Sequence, residues 1–289
     1  MLGTVLDVLS TKKGEKVLDV TLGLGGHSVE FLKAIGSSGK LIGLDADEKN
    51  LEEARKNLSA ISMNFELHHS NFSRLSELEL PQVDILFADL GLSSPHLDDP
   101  GRGFTFREDT PLDLRFDQSR GITGANLIKQ SSEQDLFLIF KKYGELEQAR
   151  KLAKAIKATH IDTTGDLRAC TEAVCGHRAV QALPQVFQAL RIAVNDEIGA
   201  LESLLKYGPT LLKPGGRMGI ITFHSLEDRP VKQKFRELST SEKDEVTGAV
   251  SKEADFELLT KKPLLPSEEE LEENSRARSA KFRAIRKNS

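Results

Sequence analysis

Along the first third of the chain, short apolar runs alternate with stretches whose apolar positions recur at helical spacing. The runs Lys16-Val-Leu-Asp-Val-Thr-Leu22, Lys40-Leu-Ile-Gly-Leu44, Asn64-Phe-Glu-Leu67 and Val83-Asp-Ile-Leu-Phe87 have strand length and are bounded by Gly, Pro, Asp or Asn. Between them, Val29, Leu32 and Ile35, then Leu51, Ala54 and Leu58, fall on single helical faces, with Asp47 placed to cap the second helix. Strand and helix in regular alternation predict a parallel sheet covered on both faces.

The pattern resumes late in the sequence. Phe187, Leu190, Val194, Ile198, Leu201 and Leu205 mark one helical face that stops at Gly208-Pro209, and Pro214-Gly-Gly216 turns into a strand, Arg217-Met-Gly-Ile-Ile-Thr-Phe223. Roughly a hundred residues separate this block from Val83–Phe87, where a βα connection ordinarily takes about two to six. Something is inserted. Leu136, Ile139, Phe140 and Tyr143, then Leu146, Ala149, Ala153 and Ile156, predict two helices broken near Gly144, so the insertion reads as a small helical subdomain over residues 98–182, with 1–97 and 183–289 forming the core. In the tail, the charged stretch Ser239 to Asp255 reads as a surface loop, and Phe256–Pro263 and Ala280–Ile285 as an antiparallel edge to the sheet.

With 289 residues, 38% of them hydrophobic and 29% charged, the chain can bury one large core and a smaller one. No apolar stretch approaches membrane-spanning length and no basic flank precedes an apolar run at the start, so a cytoplasmic protein without a membrane partner is expected. Cys170 and Cys175 are too few for a disulfide framework, and with His160 and His177 they lack the spacing of a tetrahedral zinc set, so no metal is expected. The net charge of −4 means that a nucleic acid would have to be met by a local basic patch.

Candidate chemistry gathers where predicted strands end, because an open α/β sheet binds its ligands at the carboxyl edge. Thr21-Leu-Gly-Leu-Gly-Gly-His-Ser28 follows the first strand and opens a helix, and Asp45 ends the second strand at the place of an acid that holds ribose hydroxyls. Ser28 replaces the last glycine of the dinucleotide fingerprint and no phosphate loop is present, which favours S-adenosylmethionine over a dinucleotide. Phe72, after the third strand, is either a flank for an adenine ring or plain core. Asp89 ends the fourth run, and a segment rich in acids, arginines and glycines follows it, poor material for a core. His224-Ser-Leu-Glu-Asp-Arg229 ends the later strand; without a Gly-x-Ser-x-Gly elbow it reads as a salt-bridged strand end. The basic run Arg276 to Lys287 fits either a solvated edge strand or a contact with RNA phosphates.

Several of these blocks together resemble the bacterial 16S ribosomal RNA cytosine-N4 methyltransferases, the RsmH (MraW) type. They are Thr21–Ser28, Asp89-Leu-Gly-Leu-Ser-Ser-Pro-His-Leu-Asp98, Arg102-Gly-Phe-Thr-Phe106, Pro111-Leu-Asp-Leu-Arg115, Phe187–Asn195, Phe223–Arg229 and Arg276–Lys281, in the family's order over nearly the whole chain. The resemblance implies an α/β class I S-adenosylmethionine-dependent methyltransferase fold, Rossmann-like, with an inserted helical subdomain. It implies cofactor contacts from Gly25, Gly26, His27, Asp45, Phe72 and Asp89, and another from His96, which stands where the family pattern has Gln. It also implies 16S rRNA in the small ribosomal subunit as partner.

A cytosine amino nitrogen is a weak nucleophile because its lone pair is drawn into the ring, so methyl transfer to it needs in-line placement and an acceptor for its protons. Asp89, or a backbone carbonyl of Leu90 or Gly91, is the expected acceptor. The base must also leave its stack, and Arg102, Phe104, Phe106 and Arg115 are the expected substrate contacts. Two other readings stay open: a DNA amino-methyltransferase, although Asp89-Leu-Gly-Leu92 replaces that signature, and a cofactor-binding ribosome assembly factor that has lost catalysis.

Overall fold

The computed structural model describes residues 1–243 and 250–289. The chain divides into two compact units, residues 1–91 with 199–289, and residues 92–198. The first unit opens with α1 (Leu2–Leu9), β1 (Lys16–Asp19), α2 (Gly26–Ile35), β2 (Lys40–Asp45), α3 (Glu48–Ser59), β3 (Phe65–His69) and β4 (Val83–Asp89). The second unit follows with α4 (Ser94–Asp98), α5 (Gly124–Gln130), α6 (Glu133–Lys142), α7 (Ala149–Ala158), α8 (Thr164–Cys175) and α9 (Ala179–Asn195). The remainder comprises α10 (Glu197–Tyr207), β5 (Leu212–Thr222), α11 (Ser225–Leu238), β6 (Glu242–Lys243), β7 (Val250–Lys252), β8 (Phe256–Leu258), α12 (Glu268–Glu273) and β9 (Lys281–Lys287).

Seven strands form one sheet in the order β3-β2-β1-β4-β5-β9-β8, parallel up to β5 and antiparallel at β9 and β8. Successive residues of each central strand serve opposite faces: Leu18, Ile42, Leu86 and Met218 join one core, Val17, Leu41, Ile85 and Phe87 the other. Burial on both sides is why these strands read as unbroken apolar runs. The order reverses between β1 and β4, and in a Rossmann-like sheet that switch point opens a crevice at the carboxyl ends of the strands.

Asp47 caps α3 as expected, its side chain accepting from Lys49 N–H. The expected antiparallel edge is present as β8 and β9. Within the stretch Ser239–Asp255, β6 and β7 pair with each other, and residues 244–249 lie outside the described residues. The first helix, whose Val5 and Leu9 are buried, was not anticipated.

The late helical face is two helices rather than one. Asp196 takes a left-handed conformation with φ 47° and ends α9. Val186, Phe187 and Leu190 pack into the core of the second unit, whereas Leu201, Leu204 and Leu205 pack into the first. The spacing runs on across a change of partner, which is why the insertion extends to residue 198 rather than to the expected 182. Three of its helices carry capping boxes, Ser93 with His96, Ser132 with Asp135 and Thr163 with Asp166. No helix among the described residues is long and apolar enough to cross a membrane.

Candidate active site

At the switch point, β1 ends in a carboxylate that organises the turn after it. Asp19 is buried; its side chain accepts from Ser28 Oγ at 2.7 Å and from Thr21 N–H at 3.1 Å. Thr21 Oγ in turn accepts from the Asp89 N–H at 2.6 Å, tying the β1 turn to the end of β4. Gly25 takes φ 83° immediately before α2, a conformation that favours glycine, and a Cβ on Gly26 would meet nothing within 4 Å. The backbone at Gly26 is therefore approachable by a ligand.

Asp45, at the end of β2, is already engaged by the protein. One oxygen accepts from Gly23 N–H at 2.7 Å, and the other from Asp47 N–H at 2.8 Å and Asn50 Nδ2 at 3.2 Å. It braces the glycine turn. Phe72 is partly buried against the core that includes Leu44, Leu75 and Leu204, so its packing accounts for the ring whether or not an adenine covers it.

Asp89 and His27 face each other across the crevice, with His27 Nδ1 3.5 Å from Asp89 Oδ2. They are not an ion pair. Burial lowers the imidazole to about 4, so His27 is neutral near pH 7; its ring lies over Phe87 with centroids 4.7 Å apart. Burial, reinforced by the charges of Asp19 and Glu227 and opposed by the N-terminal ammonium, raises the Asp89 carboxyl to about 7, and burial raises Asp19 to about 6. Asp89 Oδ1 is buried without a hydrogen-bond partner, and neither Asp19 nor Asp89 has a lysine or arginine partner among the described residues. Such acids suit a cationic ligand, and the ammonium and sulfonium groups of S-adenosylmethionine fit that requirement.

The profile of the MraW methylase family matches residues 1–288. The chain belongs to that family. Among its curated relatives are proteins named Ribosomal RNA small subunit methyltransferase H from three bacteria. That of Sorangium cellulosum is 43% identical, covering 98% of this chain and 88% of its own length. The one from Dictyoglomus thermophilum is 41% identical over 98% of this chain and 94% of its own, and that of Syntrophotalea carbinolica 42% over 98% and 95%.

The family motifs that fall in the second unit make the following contacts within the protein. Arg102 is 2% exposed; its guanidinium donates to the carbonyls of Arg115 and Phe116 at 2.9 Å each. Phe104 is also buried, 5.8 Å from the ring of Phe116. His96, expected at the cofactor, is 4% exposed: its Nδ1 accepts from Ser93 N–H to box the start of α4, and its ring stacks on Phe116. Phe106 is half-buried against Phe187, and Arg115 is held by both oxygens of Asp113.

These residues fix one loop. Leu114 adopts φ 67°, a strained conformation, and Asn195 clamps it by donating to Leu114 O at 2.7 Å and accepting from Phe116 N–H at 2.8 Å. The basic run at the tail is likewise mostly committed within the protein. Arg283 makes a bidentate pair with Asp228, Arg286 pairs with Glu257, and Lys287 donates to Leu212 O. The edge-strand reading is sufficient for it.

Two acids of the crevice were not picked out from sequence. Asp19 lay inside an apparent strand, and only its place just before the glycine turn marks it. Glu227 lies within the charged motif His224–Arg229, which reads from sequence as a salt-bridged strand end.

Proposed function

We propose that this chain is an S-adenosylmethionine-dependent methyltransferase that methylates N4 of a cytidine in the 16S rRNA of the small ribosomal subunit. The observation that carries the reading is the pair of buried carboxyls, Asp19 and Asp89, raised in pKa and without a lysine or arginine partner among the described residues, beside the Gly25-Gly26-His27 turn. The names of the curated relatives support the ribosomal substrate. S-adenosylmethionine, when bound, supplies an electrophilic methyl group on a sulfonium sulfur.

The protein's own groups do the rest. Gly25 and Gly26 let the backbone approach the cofactor, Asp45 holds the ribose, and Phe72 flanks the adenine. Asp89 offers its unpartnered oxygen to cationic charge and to one hydrogen of the cytosine amino group. That interaction strengthens as the nitrogen becomes positive, which is the condition for lowering a barrier rather than merely binding.

Incubating the purified protein and methyl-labelled cofactor with isolated small subunits tests the reading directly. Label should appear in the RNA and map to a cytidine. Saturable cofactor binding with no label in RNA would favour an assembly factor, and label in DNA alone would favour the DNA-modifying alternative.

A further inference from the structure

The motif His224–Arg229 is left unused by the function above, and its first residue stands at the same crevice as Asp89. Asp89 is in register with Ile221 on β5, Leu90 N–H donates to Ile221 O, and a Cβ on Gly91 would lie 3.5 Å from the ring of Phe223. His224 is the next residue. Its backbone carbonyl accepts from Glu227 and Asp228 N–H, the first turn of α11, which fixes its position.

The side chains are equally constrained. Glu227, 4% exposed, accepts from Phe223 N–H through Oε2 at 2.8 Å and puts Oε1 3.1 Å from His224 Nε2. The imidazole is 13% exposed; both ring nitrogens are buried, and neither has a hydrogen bond of good geometry. Leaving a buried donor and acceptor unmade is costly, and a native fold tolerates it mainly where a ligand completes the bonds. A carboxylate behind one nitrogen and a second, buried nitrogen without a hydrogen-bond partner is the arrangement of an oriented general base.

We propose that His224, oriented by Glu227, is the proton acceptor for methyl transfer at this site. The inference rests on the functional reading above. A cytosine amino group has two hydrogens, and aiming its lone pair at the methyl carbon takes two acceptors; Asp89 serves one and His224 Nδ1 the other. In the step, the N4 lone pair forms the new N–C bond and the C–S bond pair passes to sulfur, leaving a neutral thioether. One N4 proton moves to His224 Nδ1, the imidazolium is balanced by Glu227, and water later removes the proton. His27 is a weaker choice, since burial depresses its basicity and no carboxylate stands behind its far nitrogen.

The test is single-turnover methylation of small subunits at saturating cofactor. His224→Ala is expected to slow transfer by about a hundredfold or more while leaving cofactor affinity within about twofold, and added imidazole should restore rate in proportion to its concentration. His224→Asn keeps a polar side chain for the strand end and cannot take up the proton; it should fold normally and remain slow, and it carries the test if the alanine variant unfolds. Glu227→Gln should slow transfer by about tenfold. A wild-type rate in His224→Asn, or a slow His224→Ala that ignores imidazole, overturns the assignment. Wild-type protein that labels no RNA at all overturns the functional reading instead, and this one with it.

Discussion

Asp89 is a carboxyl group whose protonation is linked to what sits beside it. Burial and the neighbouring acids raise it to about 7, so near neutrality it is divided between its two forms. A cationic ligand favours the charged form and lowers that value. Above about pH 7 the carboxylate is already charged and binding is at full strength; as pH falls through about 7, binding must expel a proton, and affinity should drop by up to about tenfold per pH unit. Asp19, raised by burial to about 6, extends the fall at lower pH. Calorimetric titration of S-adenosylmethionine at about pH 6 and about pH 8, in buffers of different ionisation enthalpy, should show proton release at the lower pH only. Asp89→Asn should flatten most of the dependence, and a wild-type affinity indifferent to pH would separate Asp89 from the bound cation.

Asp45 tests the other end of the cofactor. Losing hydrogen bonds to a charged acceptor costs about 1.5 to 3 kcal/mol each, so Asp45→Ala should weaken cofactor binding at least about tenfold. Because the same carboxylate holds Gly23 N–H, part of that loss will come from a slackened turn. Unchanged affinity in a folded variant would remove Asp45 from the site.

At the scale of elements, what was legible in the sequence is what a single stretch of chain decides by itself. The central strands of the sheet show as apolar runs because both of their faces are buried, and the glycine turn shows because Gly25 needs a positive φ. The α9–α10 break does not show, since apolar spacing is the same on either side while the packing partner changes. The burial of Arg102 is hidden for a related reason: it is made possible by two carbonyls supplied by residues 115 and 116, which no local pattern announces. The loop those carbonyls belong to is predicted to depend on Asn195. In Asn195→Ala the Leu114 carbonyl and Phe116 N–H lose their partner, at about 1 to 3 kcal/mol for a buried group. Thermal denaturation should show a midpoint at least about 2 °C lower, with cofactor affinity of the remaining folded protein unchanged. An unaltered midpoint would mean the clamp contributes nothing to the second unit.

For the whole molecule, the difficulty is that a chain of net charge −4 must meet a polyanion. Counterion release requires cations free to approach phosphates, and most obvious candidates are spent internally: Arg102 on carbonyls, Arg115 on Asp113, Arg283 on Asp228. Within the second unit, α6 and α7 present exposed Lys141, Lys142, Lys151 and Lys154, and the apolar positions of α7 face inward, so its lysines lie outside the core. They are among the exposed cations of the second unit. Lys151→Glu with Lys154→Glu is therefore predicted to raise the concentration of small subunits needed for half-maximal methylation, and to flatten its dependence on salt by about 0.7 logarithmic units per lost contact. Cofactor affinity should be unaffected, because the carboxyls and glycines proposed to bind it belong to the first unit. Methylation measured across a salt series decides the matter: an unchanged salt slope would remove α7 from the RNA surface, and a parallel loss of cofactor binding would show that the two units do not divide the work.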